Sequence, residues 1–255
     1  MTPYNFISIF VVIIMSRASN IRTRIDGMEA GQVFTYDTLA IPENEFMAAA
    51  KALSRLVSQG IVRRYKKGVY YKPKKTVFGE LKPNEEVLLN AYLFENGEQI
   101  AYVTGTRLYN QMGLTTQVPT VIQVASQKKQ VKTNIGALTI RPVKSYVEVT
   151  KLNVPLLQLL DVIKDFKIIP DFDKSQGVRF LKEQITGLPT TDIDRLVSFA
   201  RAYPPKVRAF LGALLEVMGL RSKAIELKET LNPLSTYNFG LSEKILPILS
   251  NWNIS

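Results

Sequence analysis

Cysteine and histidine are both absent from the 255 residues. Their absence excludes disulfides, Cys- or His-ligated zinc, thiol nucleophiles, Ser-His-Asp triads and histidine general bases. Any catalysis would fall to carboxylates, Lys, Ser, Thr or Tyr. Low-complexity tracts are also missing, and the composition, 46% hydrophobic and 22% charged, is that of a globular chain. Long apolar runs are scarce. The one at Ile9–Met15 is too short for a bilayer-spanning helix, which needs about 20 residues. No Lys or Arg precedes it and Ser16-Arg17-Ala18-Ser19 makes a poor cleavage site, so a signal peptide is disfavoured. A physiological start at Met15 is the favoured reading of this leader, with a membrane anchor as the alternative.

Acidic residues are under-represented. The formal charge is +11 and the pI about 9.7. That excess favours a polyanionic partner, nucleic acid before membrane. It is concentrated: residues 16–75 hold twelve Lys and Arg against five Asp and Glu, a net +7. A binding footprint is therefore expected in the first third of a chain long enough for two domains.

Pro42 to Pro73 carries the most information. Phe46, Ala50, Leu53 and Val57, flanked by Ala49 and Leu56, mark one apolar face of a 3.6-residue period. Pro42 suits a first helical position, Glu43 and Glu45 suit the positive end of the helix dipole, and Gly60 suits its stop. The opposite face carries Asn44, Ala48, Lys51, Arg55 and Ser58. A short strand from Ile61 to Tyr65, a turn at Lys66-Lys67-Gly68 and a return from Val69 to Lys72 predict a basic hairpin. The bland reading is a solvated helix followed by an ordinary hairpin. The order of helix and basic hairpin favours a DNA-reading helix with a wing beside it.

Upstream, residues 19–28 predict a first helix capped by Ser19 or Asn20, with Ile21, Ile25 and Met28 on one face. Gly31–Phe34 predicts an extended piece and Tyr36–Ala40 a brief helix. Helix, short helix, longer helix and hairpin is the order of a winged helix-turn-helix. Lys74, Lys75 and Thr76 read as a linker. A helix over Pro83–Phe94, a strand at Ala101–Val103, a short helix over Leu108–Met112, strands at Pro119–Ala125 and Ala137–Arg141 and a third at Val143–Val149 follow. From Val154 the periodicity is helical to Gly219, and a last amphipathic piece runs from Leu241 to Leu249. The fold class expected is α+β, mostly helical: an apolar leader at 1–15, a winged helix-turn-helix domain at 16–76, a larger domain with a small sheet and a helical bundle at 77–220, and a tail at 221–255.

Carboxylate motifs are weak. Pro170-Asp171 with Glu226-Leu227-Lys228 has the form of a metal-dependent nuclease pattern, two carboxylates for magnesium and a lysine for phosphate. Its halves belong on adjacent strands, whereas here helical patterns separate them. Asp171-Phe172-Asp173 lacks the Gly-Ser helix start of a nucleotidyltransferase, and Thr104-Gly105-Thr106 lacks P-loop spacing, which leaves a helix cap. Lys206 and Arg208, with Arg195 and Arg201, offer a second basic face or a solvated helix surface. An enzyme using Asp171, Asp173 and Glu226 is the alternative to a binding module.

Three stretches resemble the AbiEi-type antitoxins of the AbiE (type IV) abortive-infection toxin–antitoxin systems. Leu53-Ser54-Arg55-Leu56 through Gly60-Ile61-Val62-Arg63-Arg64 to Gly68-Val69-Tyr70-Tyr71 looks like the family's winged-helix signature. Tyr102-Val103-Thr104-Gly105, Leu108-Tyr109 and Gly113–Pro119 resemble the start of its second domain, and Arg201–Arg208 with Leu211–Glu216 its helical end. The resemblance runs from about Ser16 to about Pro233, and residues 1–15 match nothing in the family. It implies a cytoplasmic, non-catalytic transcriptional repressor of its own operon that binds double-stranded DNA at inverted repeats. It also implies that the C-terminal domain opposes a nucleotidyltransferase-like toxin without a stable complex, in phage defence. No cofactor, metal, small-molecule substrate or membrane is expected. Carried residue by residue, Lys51, Ser54, Arg55 and Ser58 would face the groove, with Arg55 placed for a bidentate guanine contact. Arg63, Arg64, Lys66 and Lys67 would hold phosphates from the wing, joined by Arg22 and Arg24 from the first helix.

Overall fold

The structure, a computed structural model, describes residues 20–255. The apolar leader at 1–15 and the expected cap at Ser19 lie outside the described residues. Helix accounts for 42% and strand for 17% of the described residues, an α+β chain. It divides into two compact units, one ending at Glu98 and the other running from Gln99 to Ser255.

The first unit opens with α1, described over residues 20–26, whose Ile21 and Ile25 are buried one turn apart. Strand β1 (Val33–Phe34) follows. The brief helix expected at Tyr36–Ala40 is a run of turns instead, ending at Ala40 with φ +45°. A 3-10 turn at Glu43–Glu45 leads into α2 (Phe46–Ser58), which buries Ala49, Leu53 and Leu56. Its end is fixed by local chemistry. Gly60 takes φ +73°, its amide donates to the Val57 carbonyl, and the Ile61 amide donates to the Leu56 carbonyl. That pair of bonds satisfies carbonyls the helix leaves open.

Strands β2 (Arg63–Lys66) and β3 (Val69–Tyr71) form the expected hairpin, with Gly68 at φ +78° in the turn and a register irregularity between Arg64 and Lys66. β1 joins on the other side of β3, giving a sheet of order β1-β3-β2. Ile21, Ile25, Phe34, Leu39, Leu53, Val62 and Tyr70 close over one another as the core. Tyr36 stacks on Phe46 with ring centroids 5.1 Å apart and meets Tyr70 edge-on at 6.2 Å. Lys72 donates to the carbonyls of Asp26 (2.8 Å) and Met28 (2.7 Å), so its ammonium sits where α1 leaves acceptors exposed.

Where a linker was expected, the chain forms a second hairpin, β4 (Lys74–Thr76) with β5 (Gly79–Leu81). The lysines masked its strand character, and Gly79 at φ +113° supplies the reversal. Helix α3 (Glu85–Leu93) is capped by Asn84, whose side chain accepts from the Val87 amide (2.8 Å), and it packs against β1. β6 (Phe94–Glu95) and β7 (Glu98–Gln99) flank an Asn96-Gly97 turn in which both residues have positive φ.

In the second unit β8 (Tyr102–Thr104), α4 (Thr106–Gln111), β9 (Val121–Ser126), β10 (Thr133–Ile135) and β11 (Leu138–Lys144) build a sheet of order β10-β11-β9-β8. β9 and β11 are parallel and the other pairs antiparallel. The third strand lies at Thr133–Ile135, not at Val143–Val149, where the chain leaves β11 after Lys144. Helices α5 (Val154–Asp165), α6 (Lys174–Thr186), α7 (Thr190–Ala200), α8 (Pro205–Val217) and α9 (Arg221–Lys228) follow. α5 is buried nearly all round and α8 almost as fully, so these two carry the bundle core. Phe210 packs on Phe166 (4.8 Å) and Phe239 (4.7 Å). The end of the chain folds back: the Trp252 ring lies on Gly212 of α8 and its Nε1 donates to Glu216 (2.8 Å). The amphipathic piece expected at 241–249 is turns leading to a 3-10 turn at Leu249–Trp252, because Pro247 and Ile248 at φ +70° cannot continue a helix.

Candidate nucleic-acid interface

α2 separates two surfaces. Ala49, Leu53 and Leu56 are buried, and Lys51, Ser54, Arg55 and Ser58 are all exposed on the other side. Ser58 Oγ donates to the Arg55 carbonyl (2.8 Å), which holds that hydroxyl against its own helix. The groove-facing quartet expected from the sequence thus shares one solvent-exposed face, with Ala48 and the exposed Met47 at its start.

The first hairpin presents its cations unequally. Arg64 and Lys67 are exposed, and Arg64 Nε donates to the Lys66 carbonyl (3.4 Å). The Lys66 ammonium lies 6.0 Å from the Tyr65 ring centroid. Arg63 is committed elsewhere: its Nη2 donates to Glu80 Oε2 (2.9 Å), tying the first hairpin to the second. Burial first, then the neighbouring Glu80 carboxylate, pushes the Tyr71 hydroxyl above its ordinary range. Arg22 Nε forms an exposed i,i+4 pair with Asp26 (2.9 Å), and Arg24 Nη1 donates to the Leu39 carbonyl. These two arginines of α1 therefore have partners of their own within the unit.

The second unit holds a polar centre that sequence reasoning missed. Asp161 is 2% exposed, among the buried Leu159, Leu160, Val162 and Ile163 of α5. Tyr102 Oη (2.9 Å) and Thr104 Oγ1 (2.6 Å) donate to its Oδ2, while Tyr203 Oη (3.3 Å) and Lys164 Nζ (2.9 Å) donate to its Oδ1. Tyr109 Oη donates to Asp165 Oδ2 (2.7 Å) and to the Asp161 carbonyl (3.1 Å). Burial and these carboxylates push the hydroxyls of Tyr102, Tyr109 and Tyr203 far above their ordinary value. Burial opposes the charge on Lys164, and Asp161 with Asp165 outweighs it, so that lysine is pushed up. Full satisfaction of a buried carboxylate is what makes it tolerable in a core.

The other motif residues are dispersed. Asp171 sits on a turn at φ +49°, where its Oδ2 accepts from Gln117 Nε2 (3.3 Å). Asp173 caps α6, accepting from the amides of Ser175 and Gln176. Glu226 lies on α9 and pairs with Lys223 (3.0 Å) and Arg201 (3.4 Å). Lys228 sits over the Trp252 ring. The strand pair that the nuclease pattern needs is therefore replaced by a turn and a helix. Among the described residues no three Asp or Glu converge as a metal site. Thr104 is bound to Asp161, and Gly105 at φ +69° occupies the cap of α4, so Thr104-Gly105-Thr106 is a strand-to-helix corner. Arg195 is held by Asp192 and Asn153 and Arg201 by Glu226, so two of the four cations of the supposed second basic face have local partners, while Lys206 and Arg208 are half-buried. No helix among the described residues is long and apolar enough to cross a membrane.

Comparison with known proteins gives a family. No curated protein matches the chain. Among solved structures, the crystal structure of the RV2827C protein from Mycobacterium tuberculosis is similar at 12% identity and a TM-score of 0.48, over 86% of this chain and 83% of that one. The model of a family of unknown function, DUF6088, matches residues 20–159, which take in the described first unit, the sheet of the second and the start of α5. That match covers more than half of the sequence, and the chain belongs to the DUF6088 family.

Proposed function

We propose that the chain is a winged-helix DNA-binding regulator, with α2 as the helix that enters the major groove and the β2–β3 hairpin as the wing. The observation that carries this reading is the exposed face of α2. Lys51, Ser54, Arg55 and Ser58 stand together in solvent while the opposite face is locked into the core. A helix held this way can present side chains to base edges without moving its own packing. Arg64, Lys66 and Lys67 follow directly on the first hairpin, where cations neutralise phosphates and fix register. The resemblance to AbiEi-type antitoxins extends the proposal. The regulator represses its own operon at inverted repeats in the cytoplasm, and the second unit opposes a nucleotidyltransferase-like toxin without forming a stable complex.

The test is a fluorescence-anisotropy titration of the protein on a duplex of its own upstream region and on a shuffled duplex of the same composition. The proposal expects binding to the upstream duplex tighter by a factor of about a thousand or more, the usual gap between specific and non-specific binding. Equal affinity for both duplexes overturns it. Adding Mg²⁺ separates the enzyme reading: DNA cleavage or nucleotidyl transfer lost in Asp171→Ala would replace a binding module with a catalyst.

A further inference from the structure

The second hairpin carries chemistry that folding does not ask for. Its strands pair Lys74 with Leu81, Lys75 with Glu80 and Thr76 with Gly79, which leaves Val77 and Phe78 alone at the tip. Val77 is 94% and Phe78 98% exposed. Two-residue turns are normally made of Gly, Asn or Asp, because these tolerate the backbone and welcome water. Here the reversal is secured around the tip instead. Thr76 Oγ1 donates to the Gly79 carbonyl (2.8 Å) and accepts from the Phe78 amide (3.2 Å), and Gly79 takes the positive φ. The two apolar side chains are thus held outward on a rigid turn. Lys74 and Lys75 on β4 and Lys82 after β5 are all exposed. Glu80 is occupied by Arg63, so the surroundings of the tip are cationic. The same ion pair anchors this hairpin to β2, the wing strand of the proposed reading surface.

Resting on the DNA reading above, we infer that the Lys74–Leu81 hairpin is an apolar wedge. Phe78, backed by Val77, enters the minor groove and unstacks a base step while Lys74, Lys75 and Lys82 hold the flanking phosphates. The dimensions agree. Three-residue strands rise about 10 Å, and the minor groove is about 7.5 Å deep. Minor-groove proteins use Phe, Leu, Ile or Met in this way and bend the duplex as they do so. The cationic rim distinguishes a polyanion from a neutral apolar partner.

The experiment uses the full chain and a duplex of its upstream region, end-labelled for a resonance-energy-transfer bend measurement and carrying 2-aminopurine at successive pyrimidine–purine steps. Wild type is expected to bend the duplex and raise 2-aminopurine fluorescence at one step. Phe78→Ser is expected to lose both signals and bind about tenfold more weakly, the loss of one stacked base. Arg55→Ala is expected to keep the bend on whatever duplex it still binds. Phe78 is solvated, so this variant leaves the fold intact, which its circular dichroism checks. If wild type binds without bend or fluorescence change, or Phe78→Ser matches wild type, the wedge is wrong and the DNA reading stands. If wild type binds no duplex, both fall together. Two further results would reassign the tip and overturn the wedge. One is a DNA-free dimer that Phe78→Ser dissociates, and the other is Phe78-dependent sedimentation with phosphatidylserine vesicles.

Discussion

Single residues divide the cations of the first third into those that serve the fold and those that face solvent. Lys72 closes α1, Arg24 ties α1 to the Leu39 carbonyl, and Arg63 joins the two hairpins through Glu80. Lys51, Arg55, Arg64 and Lys67 are exposed. Lys72→Met should therefore lower stability, measured by urea unfolding, without changing the salt dependence of the proposed DNA binding. At the other extreme of burial, Asp161→Ala takes the carboxylate from three hydroxyls and leaves Lys164 only Asp165, 3.8 Å away, and should cost about 3–5 kcal/mol in the same assay. Tyr102→Phe removes one donor and should cost about 1–3 kcal/mol. Titration adds a pH signature. Burial, then the hydrogen bond with Tyr36, pushes Tyr70 up to about 12. Its folded value exceeds its unfolded value of 10.0, so its contribution is complete below about pH 10 and is lost as pH rises through about 12. Near-UV tyrosinate absorbance of the folded protein should show Tyr70 ionising late, with Tyr102, Tyr109 and Tyr203 later still.

Elements are set by stop signals as much as by periodicity. Gly60 at φ +73° completes the two bonds that end α2, and a Cβ there would also meet Arg63 Nη1 at 3.3 Å. Gly60→Ala should cost about 1–2 kcal/mol in denaturant unfolding. In α8 a Cβ on Gly212 would run into the Trp252 ring, so Gly212→Ala should cost about 1–3 kcal/mol by overpacking. These elements also mark what the sequence could disclose. α2 was legible because its apolar spacing and Gly60 agree on one helix, although Pro42, Glu43 and Glu45, read as its start, precede it in a 3-10 turn. β2 and β3 were legible because Gly68 sits between two β-rich runs. The Lys74–Leu81 hairpin was not, since strand-forming power there is local pairing around Gly79, and the lysines read as linker. Asp161 went unremarked because its donors, Tyr102, Thr104 and Tyr203, converge only in three dimensions. A lone carboxylate in the run Leu159-Leu160-Asp161-Val162-Ile163 is the signal that could have found it.

For the whole molecule, the proposed reading puts the anionic partner on the first unit, where the cations are concentrated. A net +7 over residues 16–75 falls in the same stretch as the exposed face of α2 and the first hairpin. The second unit hides its most unusual chemistry, the Asp161 centre, in its core, and of the carboxylates once read as catalytic Asp173 is a cap and Glu226 an ion-pair partner. Sequence selectivity and phosphate affinity should therefore separate cleanly between α2 and the first hairpin. The most direct test is a salt titration of DNA binding by wild type, Arg55→Ala and Lys66→Ala/Lys67→Ala, each on the upstream duplex and on its shuffled counterpart. Arg55→Ala is expected to erode the preference for the upstream duplex by about 1–3 kcal/mol. The double variant is expected to bind both duplexes more weakly and to the same extent, with a salt slope shallower by about 2. A wild type that prefers neither duplex, or an Arg55→Ala that keeps the full preference, would overturn the role of α2 as the reading helix.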